Sequence, residues 1–419
     1  MSVAPFRAIE ACRICGSTAL ESALDLGEQS LTGIFPRIRD ASVTRGPLEI
    51  VKCSGEGTCG LVQLRHTYDA NEMYGAEYGY RSSLNRSMVE HLGAKVKVLL
   101  GRSPVGSDDV VLDIGSNDGT TLGFYPDTAR LIGIDPTATK FAKYYKKHIH
   151  VVTDFFSEGT FFRASEGRQA KIVTSISMFY DLERPLDFMR QVHAVLVEGG
   201  IWHFEQSYLP SMLAANSYDT ICHEHVEYYA LGPIVWMANR VGFSILDVTL
   251  NDVNGGSFAV TAVKAKPGAT QHAAIVEVLL AAESRAGLHG LDPFVEFGER
   301  VRQHKRDLRE LLQKCKRSGQ RVFGMGASTK GNVILQYCEI DSDLISCIAE
   351  INADKFGCFT PGTGIPIVSE EDAMARKPDV LLVLPWHFRE TFIRRATPMF
   401  ESGVRLLFPL PTIELFPAS

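Results

Sequence analysis

Short apolar runs alternate with helix-like stretches through the middle of the chain. Amphipathic stretches such as residues 138–148 and 185–197 separate five apolar runs. Strands that alternate with helices predict a parallel sheet with helices on both faces. Two later runs, residues 243–251 and 257–266, predict strands joined through Asn254–Gly255–Gly256 as a hairpin. The five central runs are VVLDIG (110–115), LIGIDP (131–136), HVVTDFF (150–156), KIVTSISMFYD (171–181) and GGIWHFEQ (199–206).

A second α/β series follows a long helical region. Residues 273–288 and 294–319 have helical periodicity, and apolar runs then resume at residues 321–331, 344–351, 377–388 and 405–416. The first of these runs ends in a glycine-rich turn, RVFGMGASTKG. The pattern predicts a C-terminal Rossmann-like α/β domain over residues 267–419.

The chain before these two series has a different pattern. Residues 1–72 are short apolar pieces broken by Gly and Pro. This pattern predicts a small domain whose thin core needs a cross-link, such as a metal ion, to stabilise it. Residues 73–266 form the predicted central α/β domain. It opens with an amphipathic helix, since Leu84, Met88, Leu92, Val96 and Leu99 are spaced by three and four residues.

Composition and charge narrow the function. Of the 419 residues, 45% are hydrophobic and 22% charged, which is ordinary for a globular protein and excludes a disordered chain. The net charge of −6 gives no field to hold a nucleic acid, so we expect no nucleic-acid partner. No apolar run approaches a membrane span, and the first residues do not resemble a signal peptide. We therefore expect a cytoplasmic protein without a membrane partner.

Four of the nine cysteines lie close together near the start of the chain. Cys12 and Cys15 are separated by two residues, and Cys53 and Cys59 by five. Such pairs of thiolates can occupy the four corners of a tetrahedron around Zn²⁺, although the second spacing is wider than usual. Four protein ligands leave no open position for catalysis, so we expect a structural zinc ion.

The segment DIGSNDG (113–119) predicts a cofactor site. It joins an apolar strand to a helix through a glycine turn, but its spacing is not the GxGxxG of dinucleotide binding. Acidic or aromatic residues also follow the next two strands, where a carboxylate can bind ribose hydroxyls and a flat side chain can face an adenine. The glycine turn followed by acidic or aromatic residues at the ends of the next two strands resembles the first three motifs of class I S-adenosylmethionine methyltransferases. The expected cofactor-binding residues are Asp113, Gly115, Asn117, Asp118, Asp135, Pro136, Asp154, Phe155 and Met178.

The segment CHEHVEYY (222–229) has the densest group of acid–base side chains. His223 and His225 flank Glu224, which does not fit the HExxH helix of zinc proteases. A solvated loop with His–Glu pairs is one interpretation. We favour an active site, because an imidazole beside a carboxylate is a suitable general base near neutral pH. In an extended chain, His223 and His225 would face the same side.

A tyrosine-rich stretch lies at the junction of the first two domains. Tyr78 and Tyr80 occur in MYGAEYGYRS (73–82). Tyrosines at such junctions often only pack, but a phenol can also donate a hydrogen bond to a developing oxyanion. We therefore include both among the catalytic candidates.

The turn GMGASTKGN (324–332) predicts a second ligand site. Backbone amides at the start of a helix, together with Lys330, can hold a phosphate, although the order is not that of a Walker loop. An ordinary strand–helix turn is the alternative. The later strand ends offer side chains for a ribose, a base or stacking. The expected substrate-binding residues are Ser328, Lys330, Gly331, Asn332, Glu350, Trp386 and His387.

In this order, the segments resemble the C-methyltransferases of deoxysugar biosynthesis, in particular those that methylate C-3 of a dTDP-linked 3-amino-4-keto sugar, as in tetronitrose biosynthesis. The resemblance covers nearly the whole chain: the four cysteines, YGYRSSLN, DIGSNDG, HEHVEYY and FGMGASTKGN. It implies a zinc-binding domain, a methyltransferase domain and a C-terminal domain that holds the nucleotide. It also implies His225 as base with Glu224 beside it.

One residue departs from the pattern of these relatives. They have a tyrosine where this chain has Cys222, so a phenol is missing there, and Tyr78, Tyr80 or His223 is expected to take its role. The implied substrate is a nucleotide-linked 4-keto-6-deoxysugar, with dTDP favoured over GDP or CDP. The alternatives are a sugar or small-molecule O-methyltransferase, an NAD-dependent sugar oxidoreductase and a zinc-finger RNA-binding protein. The last two are disfavoured by the missing GxGxxG and by the net charge.

Overall fold

The computed structural model describes residues 5–73, 81–265 and 270–417 of the chain. Its N-terminal part contains a two-stranded sheet, in which β1 pairs with β5, and an antiparallel sheet in which β3 lies between β2 and β4. These elements are β1 (Phe6–Ala8), β2 (Leu20–Ser30), β3 (Arg45–Cys53), β4 (Val62–Leu64), β5 (His66–Tyr68) and the short helix α1 (Ala70–Met73).

A seven-stranded sheet forms the central part, in the order β12-β13-β10-β9-β6-β7-β8. The strands pair in parallel except at β13, which is antiparallel to both neighbours. The elements are α2 (Arg86–Arg102), β6 (Val110–Ile114), β7 (Arg130–Ile134), α3 (Ala138–Phe141), β8 (His150–Val152), α4 (Glu158–Ser165), β9 (Ala170–Ile176), α5 (Pro185–Val195), β10 (Leu196–Ser207), α6 (Leu209–Ala214), β11 (Glu227–Tyr228), α7 (Leu231–Val241), β12 (Phe243–Asn251), β13 (Ser257–Lys264) and α8 (Ala274–Arg285).

This order, with one reversed strand between the last two parallel ones, is the class I methyltransferase fold. The predicted parallel sheet and the predicted hairpin are both confirmed, and the hairpin turns at Asn254 with a positive φ of 56°. The five residues of β6 are all buried, as expected for a strand covered on both faces. The predicted amphipathic helix is confirmed as α2, except that it begins after Leu84, because Asn85 caps it by accepting from the Ser87 amide.

The C-terminal part contains a six-stranded sheet in the order β16-β15-β14-β17-β18-β19. The strands run parallel up to β18, and β19 is antiparallel to it. The first five strands follow the Rossmann order, so the predicted Rossmann-like domain is confirmed. The elements are α9 (Asp292–Arg317), β14 (Val322–Met325), α10 (Thr329–Tyr337), β15 (Ile348–Glu350), β16 (Ile367–Ser369), α11 (Glu370–Ala375), β17 (Val380–Val383), α12 (Arg389–Phe400), β18 (Arg405–Phe408) and β19 (Glu414–Phe416).

The N-terminal part shares its core with both neighbours. Leu24 and Ile50 of its sheet belong to the same buried cluster as Phe297 and Val301 of α9. The four cysteines belong instead to the cluster of the central sheet, and β11 adds to the N-terminal sheet by pairing with β4. The thin core expected for residues 1–72 is therefore completed by the rest of the chain. The division into domains at 72/73 and 266/267 remains a prediction.

Candidate active site

The four N-terminal cysteines converge on one point. Cys12 and Cys15 flank the turn between β1 and β2, Cys53 ends β3, and Cys59 precedes β4. Their sulfur atoms lie within 4.8 Å of one another, and two of the sulfur–sulfur distances are 3.4 Å. Zn–S bonds of about 2.3 Å at tetrahedral angles separate sulfurs by roughly 3.8 Å. The arrangement fits a structural zinc ion, as predicted.

The glycine turn after β6 is held by the acidic residue that follows β7. Gly115 has a positive φ of 72°, which lets the backbone turn without a side-chain clash. The Asp135 carboxylate accepts the Asn117 amide at 2.8 Å and both the amide and the hydroxyl of Thr137 at 2.6 Å. Contacts with the described residues use three of its four lone-pair directions, and the fourth suits a ribose hydroxyl. Asp135 is thus suited to shape the cofactor turn as well as to bind the cofactor.

Asp113 lies behind the turn rather than on its surface. Its side chain is 2% exposed and accepts a hydrogen bond from Thr174 Oγ1 on β9 at 2.5 Å. Burial, together with the nearby charge of Asp135, raises the pKa of Asp113 to about 7. Asp113 therefore ties two strands together beneath the turn, and the prediction that it contacts the cofactor stays untested.

The next two residues of the turn hold a neighbouring segment. Asn117 Oδ1 accepts from the Ser82 amide and Asp118 Oδ2 from the Ser83 amide, both at 3.0 Å. The segment just before α2 therefore covers the predicted cofactor turn. The side chains of Asn117 and Asp118 position this cover.

The remaining predicted cofactor residues surround the same edge of the sheet. Phe155, after β8, is 51% exposed, which leaves its ring open to stack on an adenine, and Asp154 beside it is also exposed. Pro136 follows Asp135 and is partly buried. Met178 lies over the turn, since a Cβ on Gly115 would be 3.0 Å from its Cγ.

His225 lies in the loop between α6 and β11. Its Nδ1 is 2.9 Å from the Thr220 carbonyl oxygen, so Nδ1 carries the hydrogen and Nε2 has a free lone pair. The ring packs against Tyr180 with centroids 4.3 Å apart. Burial, reinforced by the Lys330 charge, lowers the pKa of His225 to about 3, so the ring is neutral at physiological pH. The neutral ring can accept a proton at Nε2, but a pKa this low makes it a weaker base than an ordinary imidazole.

His223 does not share this environment. The loop turns at Cys222, whose carbonyl accepts the His225 amide at 3.2 Å, so the expectation that both imidazoles face the same side is wrong. The fully buried His223 ring packs edge-on against Tyr68 of the N-terminal part, with centroids 4.6 Å apart. Burial lowers the pKa of His223 to about 3.

Glu224 points between the N-terminal and C-terminal parts. A Cβ added at Gly33 would lie 1.8 Å from its Oε1 and 3.6 Å from Thr329 Oγ1, so these three residues meet at one place. Burial raises the pKa of Glu224 to about 7. The carboxylate can therefore titrate close to physiological pH.

The predicted phosphate turn forms the N-terminus of α10. Ser328 Oγ accepts the Gly331 amide at 3.0 Å and so acts as the helix cap. Asn332 is buried and donates to the Thr32 carbonyl oxygen at 2.7 Å. In this arrangement Ser328, Gly331 and Asn332 organise the turn, and their contact with substrate remains a prediction.

Lys330 projects from this turn toward the central part. Its Nζ donates to the Asn254 carbonyl oxygen at 2.9 Å. Its charge contributes to lowering the pKa of both His225 and His387. Burial lowers the pKa of Lys330 itself, while Asp219 opposes the shift. The structure thus brings a cation of the C-terminal part close to the candidate base.

The strand ends of the C-terminal sheet complete this side of the site. Glu350 accepts the Ala327 amide at 2.8 Å and, through its other oxygen, the amides of the two residues that follow it. Trp386 Nε1 donates to Asp219 Oδ2 at 2.8 Å, which fixes the C-terminal part to the loop before His225. His387 is adjacent and packs against Trp386 at 5.8 Å.

Sequence reasoning missed Tyr180, Thr220 and Gly33. None of the three carries a local sequence signal, because Tyr180 is one tyrosine in a strand–helix connection, Thr220 acts through its backbone carbonyl, and Gly33 is one of many glycines. Only the fold brings Tyr180 and Thr220 to His225, and Gly33 to Glu224. The tyrosines expected to act here, Tyr78 and Tyr80, lie outside the described residues.

Comparisons with known proteins agree with this architecture. Residues 12–74 match the family described as "Putative zinc binding domain", residues 84–248 the "Methyltransferase domain" and residues 252–411 the "C-methyltransferase C-terminal domain". The C-methyltransferase NovU of Streptomyces niveus is 29% identical over 409 residues, covering 97% of this chain and 96% of NovU. The chain is a C-methyltransferase similar to NovU. Its central fold makes S-adenosylmethionine the methyl donor of this methyltransferase.

Solved structures give more distant likenesses. The plantazolicin methyltransferase BpumL, in complex with SAH, is 13% identical and covers 42% of this chain and 83% of its own, with a TM-score of 0.33. The cyclopropane synthase MmaA2 of Mycobacterium tuberculosis has the same identity and TM-score and covers 41% and 83%. The assignment of the class I methyltransferase fold is based on the strand order of the central sheet, not on these likenesses. Among its described helices, none has the length and apolarity needed to cross a bilayer.

Proposed function

We propose that this methyltransferase transfers a methyl group to C-3 of a nucleotide-linked 4-keto-6-deoxysugar, and that His225 removes the C-3 proton. The observation that carries the proposal is the position of His225. On one side Tyr180 and Met178 connect it to the glycine turn of the central sheet, and on the other Lys330 brings the C-terminal turn close. A substrate held there can meet a base, a methyl donor and a cation together.

The chemistry needs few functional groups. A ketone at C-4 acidifies the proton on C-3, and Nε2 of His225 accepts that proton as the C-3–H bond breaks. S-adenosylmethionine supplies an electrophilic methyl group, and the C-3 carbanion of the enolate forms the new C–C bond while the S–CH₃ bond breaks. Glu224, the residue before His225, supplies the negative charge that stabilises the imidazolium, which then loses its proton to solvent. No electron transfer is involved.

The parts of the site have separate tasks in this proposal. Gly115, Asp135 and Phe155 bind the cofactor. Lys330 and the α10 turn bind the diphosphate of the sugar nucleotide, and Glu350, Trp386 and His387 line the nucleotide side. Holding two reactants in line can lower the barrier by about 7–11 kcal/mol. The nucleotide is dTDP in our proposal, in keeping with the family resemblance.

The test is to incubate the protein with S-adenosylmethionine and 4-keto-6-deoxysugars linked to dTDP, GDP or CDP. We expect a product heavier by one methylene, with the methyl group on carbon by NMR. The matched control is each sugar with a hydroxyl in place of the 4-ketone, which we expect to remain unmodified. Methylation of the 4-hydroxy sugars, or a methyl group on oxygen, would favour an O-methyltransferase and overturn the proposal.

A further inference from the structure

The loop that follows β2 in the N-terminal part is clamped onto α10. The Ser30 amide donates to Gln336 Oε1 at 2.7 Å, and Gln336 Nε2 donates back to the Ser30 carbonyl oxygen at 3.0 Å. Asn332, one helical turn earlier on the same face, donates to the Thr32 carbonyl oxygen at 2.7 Å. Residues 31–33 are all buried. Three hydrogen bonds therefore fix this loop at the edge of the active site.

Gly33, at the end of the clamped segment, lies against Glu224. A Cβ at this position would be 1.8 Å from Glu224 Oε1 and 3.0 Å from its Cδ, so no side chain fits while Glu224 stays in place. The backbone of Gly33 does not have a positive φ, so its conformation is open to any residue. The glycine is therefore required by the space that the Glu224 carboxylate occupies.

We propose that Gly33 is a positioning residue for the methyl transfer: it leaves the room that the carboxylate of Glu224 occupies, next in the chain to the base His225, and Asn332 and Gln336 hold the Gly33 loop in place. This inference rests on the proposed function of His225 and Glu224. It gives the zinc-binding part of the chain a role in the active site beyond its own folding, because its loop forms the wall behind the carboxylate.

The electrostatics of this position agree with such a wall. Burial raises the pKa of Glu224 to about 7, and the ionisable group that interacts with it is Cys222 of its own loop. The charge of Lys330 on α10 acts on His225, the next residue in the chain. A side chain at position 33 would push the carboxylate outward, and better hydration would lower the pKa of Glu224 toward its ordinary value. If the carboxylate must be ionised to stabilise the imidazolium, activity rises with pH through this pKa. The acid limb of the profile would then move to lower pH in Gly33→Ala.

The test compares Gly33→Ala with Gly101→Ala, whose new Cβ would meet no atom within 4 Å on an exposed part of α2. We expect Gly33→Ala to lower kcat at least tenfold and to shift the acid limb of kcat/KM. Zinc content and S-adenosylmethionine affinity should stay at wild-type values. Gly101→Ala should match the wild type in all four measurements. Unchanged kcat and pH profile in Gly33→Ala would overturn the proposal.

A double-mutant cycle with Glu224→Asp separates positioning from a general structural effect. Aspartate is one methylene shorter, so it leaves room for an alanine at position 33. We expect Gly33→Ala to lower the activity of the Glu224→Asp enzyme by less than twofold, because the two changes share one contact. Equal fold-losses of at least ten in both backgrounds would show that Gly33 acts elsewhere and would contradict the proposal.

Two further measurements cover the other ways in which the test can fail. If Gly33→Ala does not fold, Gln336→Ala loosens the same loop without adding atoms, and it should reduce kcat with the same shift of the acid limb. An unchanged pH profile in Gln336→Ala would overturn the proposal.

Infrared difference spectra, wild type minus Glu224→Gln, follow the ionisation of the Glu224 carboxyl group without any sugar. A titration of Glu224 that shifts in Gly33→Ala would support the positioning role even if no 4-keto sugar is methylated, and an unshifted titration would refute it.

Discussion

The two α/β parts of the molecule share one device and use it differently. In each, an acidic residue at the end of the second strand accepts a backbone amide of the glycine turn after the first strand: Asp135 from Asn117, and Glu350 from Ala327, both at 2.8 Å. The central turn is then covered by a segment of its own part, through Ser82.

The C-terminal turn is covered by the other parts instead. Asn332 donates to Thr32 of the N-terminal part, and Lys330 donates to Asn254 of the central part. On the proposed function, the comparison predicts that cofactor binding is a property of the central part alone. It predicts, in contrast, that binding of the second substrate depends on how all three parts meet.

The sharpest test concerns the residue between the two turns. Because His225 is proposed to act only in the reaction, we expect His225→Asn to lower kcat by more than about 10³-fold, while both ligands bind as before. The measurement is turnover together with solvent deuterium exchange at C-3, with S-adenosylhomocysteine bound to block transfer. His148→Asn, at an exposed position, is the matched control.

The same assay separates the candidate bases. Exchange that survives in His225→Asn and disappears in His223→Asn would assign the base to the other imidazole. It would also mean that His223 leaves its packed position against Tyr68 in the complex. Exchange lost only in Tyr78→Phe would instead support the phenol considered from the sequence.

The second prediction tests whether the central part binds the cofactor alone. Asp135→Asn replaces one acceptor oxygen by a donor, so the Asn117 amide or the Thr137 pair loses its partner, and a charge-assisted bond to the ribose is lost. Such bonds contribute about 1.5–3 kcal/mol, which corresponds to about 10–150-fold in affinity for S-adenosylmethionine. Calorimetry should show this loss, with sugar-nucleotide affinity unchanged. An unchanged cofactor affinity would remove Asp135 from the site.

The third prediction tests the C-terminal turn. Lys330→Ala removes the cation proposed to hold the diphosphate, and we expect the KM for the sugar nucleotide to rise about tenfold, as for the loss of one charge-assisted hydrogen bond. Cofactor affinity should stay the same. Steady-state kinetics and calorimetry provide the two numbers. A fall in cofactor affinity instead would mean that the two α/β parts have been assigned to the wrong ligands.

Much of this fold was predictable, because strand–helix alternation and the residues at strand ends are local signals. The glycine turn and Asp135 are predicted from their positions at strand ends and the four cysteines from their spacing; the structure brings Asp135 to the glycine turn and the four sulfur atoms to one point. The relation of His223 to His225 was not predictable, because a turn at Cys222 replaces the extended chain. Nor could the sequence indicate that Gly33 meets Glu224, since that contact depends on how separate parts of the chain pack.

The last and smallest effect concerns the counterpart of Asp135. Glu350→Gln makes the same acid-to-amide change in the C-terminal part, where one oxygen accepts the Ala327 amide and the other accepts the two amides after Glu350. A glutamine can satisfy only one of these groups, so the turn that carries Lys330 loosens. However, Lys330 and Asn332 remain held by the other parts of the molecule.

We therefore expect a rise of only about threefold in the KM for the sugar nucleotide, which is the effect of roughly 0.7 kcal/mol, within the range of one ordinary hydrogen bond. Cofactor affinity should not change. Glu339→Gln, on the exposed surface beside Lys305 and Arg309, is the matched control and should behave as the wild type. A loss of sugar affinity as large as the loss of cofactor affinity in Asp135→Asn would show that the C-terminal turn is as self-contained as the central one. The contrast between the two parts would then be wrong.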